Sequence, residues 1–479
     1  MRTDFLQEPE LEFGSGRHVD IKFGLMHHGP LDFASHLAPK QIKLGIVGTP
    51  QTIEGVQGWL ERCRGGIDAK ESKQPNLFPR FPGLGPDDSF RCSLVMDSQL
   101  QRPIQHNVLE RLSRRAKGDA LVAEAAEIVL SEFRVLAENA APDVLVCAIP
   151  MGLLESMDAG VAGPGNDGGD ADKGRLNFHH LLKAKAMGLR KPVQIILPMT
   201  YDRSSRRRQK GNPERVRQLQ DEATIAWNIH TAFYYKAGGI PWRLIRDSAQ
   251  FTTCYIGISF YKTLDSSSVM TSTAQVFNQR GEGVIVRGGA ARVSKEDRQP
   301  HLSLTDSRRL LHQALDRYRE VHRNSPARVV LHKTSPFDAD EVDGFAEAAD
   351  QHRVSLYDFV SVGESHTRLF RTGPYPPLRG TLLHLDDKKH ALYTRGSVDF
   401  FETYPGQYVP VPLLFRCDCT SETPKAIAQE ILGLTKMNWN NTQFDGRDPI
   451  TIRAARQVSA ILKHVEEGGW IEPRYSFYM

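Results

Sequence analysis

Cys254-Tyr255-Ile256-Gly257-Ile258-Ser259-Phe260-Tyr261 is an apolar run broken only by Gly257 and Ser259, the length and make-up of a buried strand. Two further strand-like runs follow behind short turns, at Ala274–Asn278 and Gly283–Arg287, so three consecutive strands are expected to pair antiparallel. Beyond them the pattern predicts a helix at Ser307–Arg323 and strands at Ala327–His332, Ser355–Val362, Thr381–Leu385 and His390–Thr394. Helices at Pro424–Met437 and Thr451–Glu466 complete the series.

Three antiparallel strands followed by alternating helix and strand is the order of an RNase H-like fold. Upstream of Cys254 the alternation is of another kind. Ile42-Lys-Leu-Gly-Ile-Val-Gly-Thr49 reads as a strand closed by glycine, with a helical stretch through Leu60. Asp119–Asn139 carries Leu121, Ala125, Ile128, Val129 and Phe133 at helical spacing and leads into a strand at Asp143–Ile149. Lys183–Leu189 reads as helix, Val193–Leu197 as strand and Glu222–Lys236 as a long helix. Such alternation argues for an open parallel α/β sheet. The expected division is a lead-in without its own core at 1–40, an α/β unit at 41–245 and the second unit at 246–479, with the boundary near Arg243–Asp247. Two polar segments interrupt the first unit: the Gly/Asp-rich Asp158–Gly174, and Asp202–Lys210, with five basic residues in nine.

The chain has 479 residues, 40% hydrophobic and 25% charged, with 61 Lys+Arg against 57 Asp+Glu for a net +4. This is ordinary globular composition. It excludes a protein coated in positive charge but leaves room for a basic channel balanced by acidic surface elsewhere. Six cysteines include no CxxC pair and read as reduced structural thiols. The start lacks a signal-peptide core, and no apolar stretch is long enough to span a bilayer, so a cytoplasmic protein with no membrane association is expected.

His179 and Lys183 stand four apart and share one face of a helix; Gln194 lies on the next strand, and Lys236 ends the following helix. In open α/β sheets ligands sit beyond the carboxyl ends of the strands. Two lysines with an amide and an imidazole there suit a phosphate monoester, each charge-assisted bond contributing about 1.5–3 kcal/mol. From spacing alone, a solvated helix face remains the plainer reading.

Several motifs, taken in order, resemble the MID and PIWI domains of prokaryotic Argonautes. They are Phe178-His-His-Leu-Leu-Lys-Ala-Lys-Ala-Met187, Pro192-Val-Gln-Ile195, and a helix through Ile225-Ala-Trp227 that ends in Lys236-Ala-Gly-Gly-Ile-Pro-Trp242. Later come Arg379-Gly-Thr381, Tyr393-Thr-Arg-Gly396, Leu434–Asn440, Pro449-Ile-Thr451 and the aromatic Tyr475-Ser-Phe-Tyr-Met479. The lead-in Ile21-Lys-Phe-Gly24 is similar to the start of short Argonautes. The resemblance implies a Rossmann-like MID domain followed by an RNase H-like PIWI domain. It puts His179 where a residue stacks on the guide's first base, and Lys183, Gln194 and Lys236 on the 5′-phosphate. It also brings the carboxylate of Met479 to the pocket, with Mg2+ as a candidate cofactor, while Ala232 stands where many relatives have a lysine.

A PIWI nuclease uses two metal ions held by carboxylates. The resemblance implies that three of the four such places fall to Ser259, Thr334 and Arg456, which would leave metals without anionic ligands. Nearby Glu282, Asp386 and Asp387 are more simply turn residues. The expected protein is therefore not an enzyme. It would be a catalytically inactive short Argonaute holding a 5′-phosphorylated guide RNA, pairing it with complementary single-stranded DNA, and activating an APAZ-domain effector subunit (sirtuin-like or TIR, NAD-consuming) in defence against plasmids or phage. At this length there is no room for amino-terminal and PAZ lobes, so such a partner would complete the channel. Arg203, Arg206, Arg207, Arg208 and Lys210 are either a solvated loop or part of the nucleic-acid path. The alternatives are a guide-directed nuclease cleaving the target itself with unusual ligands, and a nucleotide-binding α/β protein without a guide.

Overall fold

A computed structural model describes residues 2–157, 175–202, 220–245, 252–276, 283–406, 408–466 and 469–479. The basic run Arg203–Lys210, the Gly/Asp-rich 158–174 and Glu282 lie outside the described residues.

Gln41–Gly48 is the central strand of a five-stranded parallel sheet, flanked on one side by Val144–Ala148 and then Val193–Ile195. On its other side, Ser93–Val95 pairs with its first half and Gln101–Pro103 with its second. Ile42, Leu44, Ile46 and Val47 are all buried, as a parallel strand covered on both faces requires. Thr49 caps the helix Pro50–Arg64 through the Thr52 amide, with Pro50 at the first helical position. Gly118–Asn139 buries Leu121, Ala125, Val129 and Phe133, the face its spacing predicts. Asn177 and Asp221 cap the two helices that carry the pocket lysines, Phe178–Ala186 and Glu222–Lys236. The first of these begins five residues before the predicted Lys183, because the Asn177 side chain accepts the His180 amide.

The second sheet has nine strands in the order Arg2–Phe5, Thr381–His384, Lys389–Leu392, Leu413–Cys419, Leu356–Glu364, Arg328–Lys333, Thr253–Lys262, Val269–Val276, Gly283–Ala290. Thr253–Lys262, Arg328–Lys333 and Leu356–Glu364 run parallel, and the other neighbours are antiparallel. The three strands expected to form an antiparallel run do so. Two elements escaped the sequence. Leu413–Cys419 is a central strand whose alternation is blurred by the Arg416–Asp418 pair at 2.8 Å. Ala339–Gln351 is a helix started by a capping box between Asp338 and Glu341.

Residues 2–40 are built into both halves. Arg2–Phe5 is the edge strand of the large sheet, Leu11–Glu12 joins Arg17–His18 and Arg243–Leu244 in a small sheet, and Ile21–His28 is a helix. Leu11, Phe13, Ile21 and Leu25 enter the largest hydrophobic cluster beside Trp227, Trp242, Trp439 and Tyr478. All six cysteines are free. Among the described residues no helix is long and apolar enough to cross a membrane.

Candidate nucleic-acid interface

The carboxyl ends of the parallel strands bring four of the predicted residues together. Lys183, 3% exposed, donates from Nζ to the main-chain oxygen of Met479. Lys236, 5% exposed, donates to the Val193 carbonyl at 3.1 Å and to Gln194 Oε1 at 2.6 Å. Gln194 in turn donates to the Ile195 carbonyl at 3.0 Å, so its amide is oriented from both ends. His179 lies one helical turn before Lys183, half-buried, its ring 5.4 Å from that of His180.

Burial dominates the electrostatics. It pushes the Lys183 ammonium down to about 7. Burial and then the Lys183 charge hold Lys236 well below its ordinary value, and the same two causes do so for His179. Among the described residues, no carboxylate side chain pairs with either lysine. Lys236 meets the neutral oxygens of Val193 and Gln194 and Lys183 an oxygen of the Met479 carboxyl group, so two amines withdrawn from water share one anionic group and a further anion would stabilise them.

Met479 reaches the pocket because the aromatic tail is core. Tyr475, Phe477, Tyr478 and Met479 are buried, the Tyr478 hydroxyl donates to the Glu472 carbonyl at 2.9 Å, and the Tyr475 hydroxyl to Gln457 Oε1 at 3.1 Å. Ala232 is buried in the same helix as Lys236.

On the large sheet, Ser259 lies near the carboxyl end of Thr253–Lys262 and is buried. Thr334 follows the neighbouring parallel strand, its amide donating to the Ile258 carbonyl at 3.2 Å. Both come to the edge covered by the helix Ile450–Leu462: a Cβ on Gly257 would meet the Thr451 carbonyl oxygen at 2.0 Å, and His332 Nδ1 lies 2.8 Å from Thr451 Oγ1. Arg456, on that helix, pairs with Asp448. Asp386 and Asp387 stand in the hairpin after Thr381–His384, four strand positions or more from Ser259. Asp386 accepts the Lys388 and Lys389 amides at 2.8 and 2.7 Å, the bonds of a turn.

No family model and no curated protein sequence matches the chain. Solved structures do. Clostridium butyricum Argonaute bound to a guide DNA (5′ deoxycytidine) and a 19-mer target DNA matches with a TM-score of 0.62 at 16% identity, over 99% of this chain and 54% of that one. Drosophila Piwi matches with a TM-score of 0.60 at 11% identity, over 99% and 56%. The chain has the MID–PIWI fold of Argonaute and Piwi proteins. It spans about half the length of the solved structures it matches.

In the PIWI-like sheet, a buried charge cluster went unseen in the sequence. Lys333 and Glu341, both fully buried, pair with each other; Glu341 also accepts the Leu302 amide at 2.9 Å and lies 3.0 Å from His301 Nδ1. Lys333 pairs with Ile258 across the parallel strands, and its ammonium lies 5.0 Å from the Phe337 ring centre. Side chains alternate along a strand, so this cluster occupies the face opposite Ser259. Only the capping pattern Asp338…Glu341 hinted at it. Near the pocket, the rings of His180, on the helix Phe178–Ala186, and His464, just beyond the helix Ile450–Leu462, are 6.0 Å apart.

Proposed function

We propose that this chain binds the 5′-phosphorylated end of a guide nucleic acid at Lys183, Lys236, Gln194 and His179 and presents it to a complementary strand. The observation that carries the proposal is the pair of buried lysine ammoniums with no carboxylate side-chain partner among the described residues. A dianionic phosphate supplies the missing charge and accepts from both ammoniums and from the Gln194 amide, while His179, held neutral, offers a ring face to the first base. In the similar Clostridium butyricum Argonaute a guide DNA and a target DNA are bound, which supports the same class of ligand here.

We take the guide to be RNA and the target single-stranded DNA, with base pairing reading sequence and the protein holding backbone shape. We assign cleavage elsewhere: at the places that the resemblance gives to the carboxylates of a two-metal nuclease, Ser259 and Thr334 are uncharged and Arg456 is cationic. The effector is then a separate cytoplasmic APAZ-containing partner with a sirtuin-like or TIR NAD-consuming domain, and the role is prokaryotic defence. A Mg2+ beside the phosphate would be held by the Met479 carboxyl group, an oxygen ligand of the kind such ions take.

The deciding experiment compares 5′-phosphate and 5′-hydroxyl oligonucleotides of one sequence. Lys183→Ala and Lys236→Ala are each expected to weaken only the phosphorylated form, by about tenfold or more. Equal losses for both ends would remove the pocket. Divalent-dependent cleavage of a paired target by the protein alone would overturn the non-nuclease part. A purified complex with the partner that neither consumes NAD nor cuts nucleic acid when given guide and complementary target would remove the effector part.

A further inference from the structure

The loop between Leu356–Glu364 and Thr381–His384 holds Phe370 at 91% exposure, the most exposed large apolar side chain among the described residues. Single exposed apolar residues are common on surfaces. This one differs in what holds it. The Ser365 amide donates to the Pro412 carbonyl at 3.2 Å, the Thr367 amide to Ser365 Oγ at 3.1 Å, and the Leu369 amide to the Tyr393 hydroxyl at 2.7 Å. At its far end, Ser397 Oγ and N donate to the Pro376 and Pro377 carbonyls at 2.8 and 3.0 Å. The ring therefore projects from a braced backbone.

Arginines stand on either side of Phe370 in the sequence, at 368 and 371. Arg368 Nη1 donates to the Ser365 and Thr367 carbonyls at 2.9 and 3.0 Å, and Arg371 Nε to the Tyr375 carbonyl at 3.3 Å. Each guanidinium is thus aimed by its own loop, and neither has a carboxylate partner among the described residues. An apolar protein partner needs several apolar neighbours around an anchor. Here the exposed stretch 370–375 adds only Pro374 and the part-exposed Tyr375 as apolar groups, and Arg368 and Arg371 stand within two residues of the ring in sequence. That pattern matches single-stranded nucleic acid, in which a base offers a flat π-face and phosphates lie to either side.

The loop also lies in the right place. It leaves the carboxyl end of a strand parallel to Arg328–Lys333 and Thr253–Lys262, so it starts from the sheet edge that carries Ser259 and Thr334. We propose that Phe370, flanked by Arg368 and Arg371, stacks on a base of single-stranded nucleic acid passing the carboxyl edge of the PIWI-like sheet. This rests on the preceding reading only in that the chain meets nucleic acid, and it adds a contact remote from the guide's 5′ end.

The test uses the full chain and a 5′-hydroxyl oligonucleotide carrying 5-iodouridine, so that failure of the phosphate pocket leaves the outcome untouched. Phe370→Ala is expected to weaken binding about tenfold and to abolish photocrosslinking at position 370, while Phe370→Trp retains affinity. Arg368→Ala and Arg371→Ala should each lower the slope of log affinity against log salt by about one. An unchanged affinity for Phe370→Ala with no crosslink at the loop overturns the proposal. So does a Phe370→Ala protein that binds nucleic acid normally but loses a co-purifying protein, since the ring would then belong to that interface.

Discussion

Lys183 shows how burial converts a common residue into a specialised one. Its spacing from His179 and its lysine chemistry were legible in the sequence, but its 3% exposure and its contact with Met479 were not, because they depend on a segment almost 300 residues away. With the folded value near 7 and the unfolded value near 10.5, the unfolded chain binds more protons between those limits. Stability of the unliganded protein should therefore rise as pH increases from 7 towards 10 on account of this group. Lys183→Met should stabilise the unliganded protein at neutral pH by about 1–3 kcal/mol and flatten that rise. Thermal unfolding across this pH range measures it; a destabilised methionine variant would mean that the ammonium is compensated in the free protein.

The decisive contact between elements is the strand Thr253–Lys262 against the helix Ile450–Leu462. Gly257 reads in sequence as a weak point in an apolar strand, whereas in the fold it is where the helix backbone comes closest, a Cβ there falling 2.0 Å from the Thr451 carbonyl oxygen. Gly257→Ala should cost about 3 kcal/mol by forcing strand and helix apart. Gly363→Ala, in another strand of the same sheet with nothing within 4 Å of its Cβ, should change stability by no more than about 0.5 kcal/mol. Denaturant midpoints of the two variants provide the comparison, and equal midpoints would contradict the packing. Strong local periodicity made elements such as Gly118–Asn139 readable. Leu413–Cys419 was not, since its place between two antiparallel neighbours is a property of the sheet.

Across the whole molecule, the amino-terminal segment ties the halves together. Glu8 accepts from Arg379 Nε at 2.9 Å and from Lys436 Nζ at 3.0 Å; Arg379 and Lys436 are both buried, and Lys436 also donates to the Pro9 and Val19 carbonyls. Beyond this lock, Trp242 Nε1 donates to the Lys436 carbonyl at 3.0 Å and Tyr235 meets Trp439 edge-on at 4.8 Å, so MID-like and PIWI-like parts share one core. Burial raises the Glu8 carboxyl, but the Arg379 and Lys436 charges outweigh it and hold the group below its ordinary 4.5. Its contribution is thus complete above that pH and is lost as pH falls through the lower folded value. Glu8→Ala should cost about 3–5 kcal/mol at neutral pH, by leaving two cations buried, and should make acid unfolding less steep. A neutral-pH stability equal to that of the unaltered chain would sink this account.

The sequence by itself determined the local elements and the chemical character of their ends: apolar runs with caps and glycines choose strand or helix through interactions within a few residues. It also marked His179, Lys183, Gln194 and Lys236 by type and order. Only the tertiary structure decided that Lys183 and Lys236 lose their water together, that Met479 closes on Lys183, and that residues 2–40 complete two sheets. Those outcomes depend on burial and on partners distant along the chain, which no local pattern encodes.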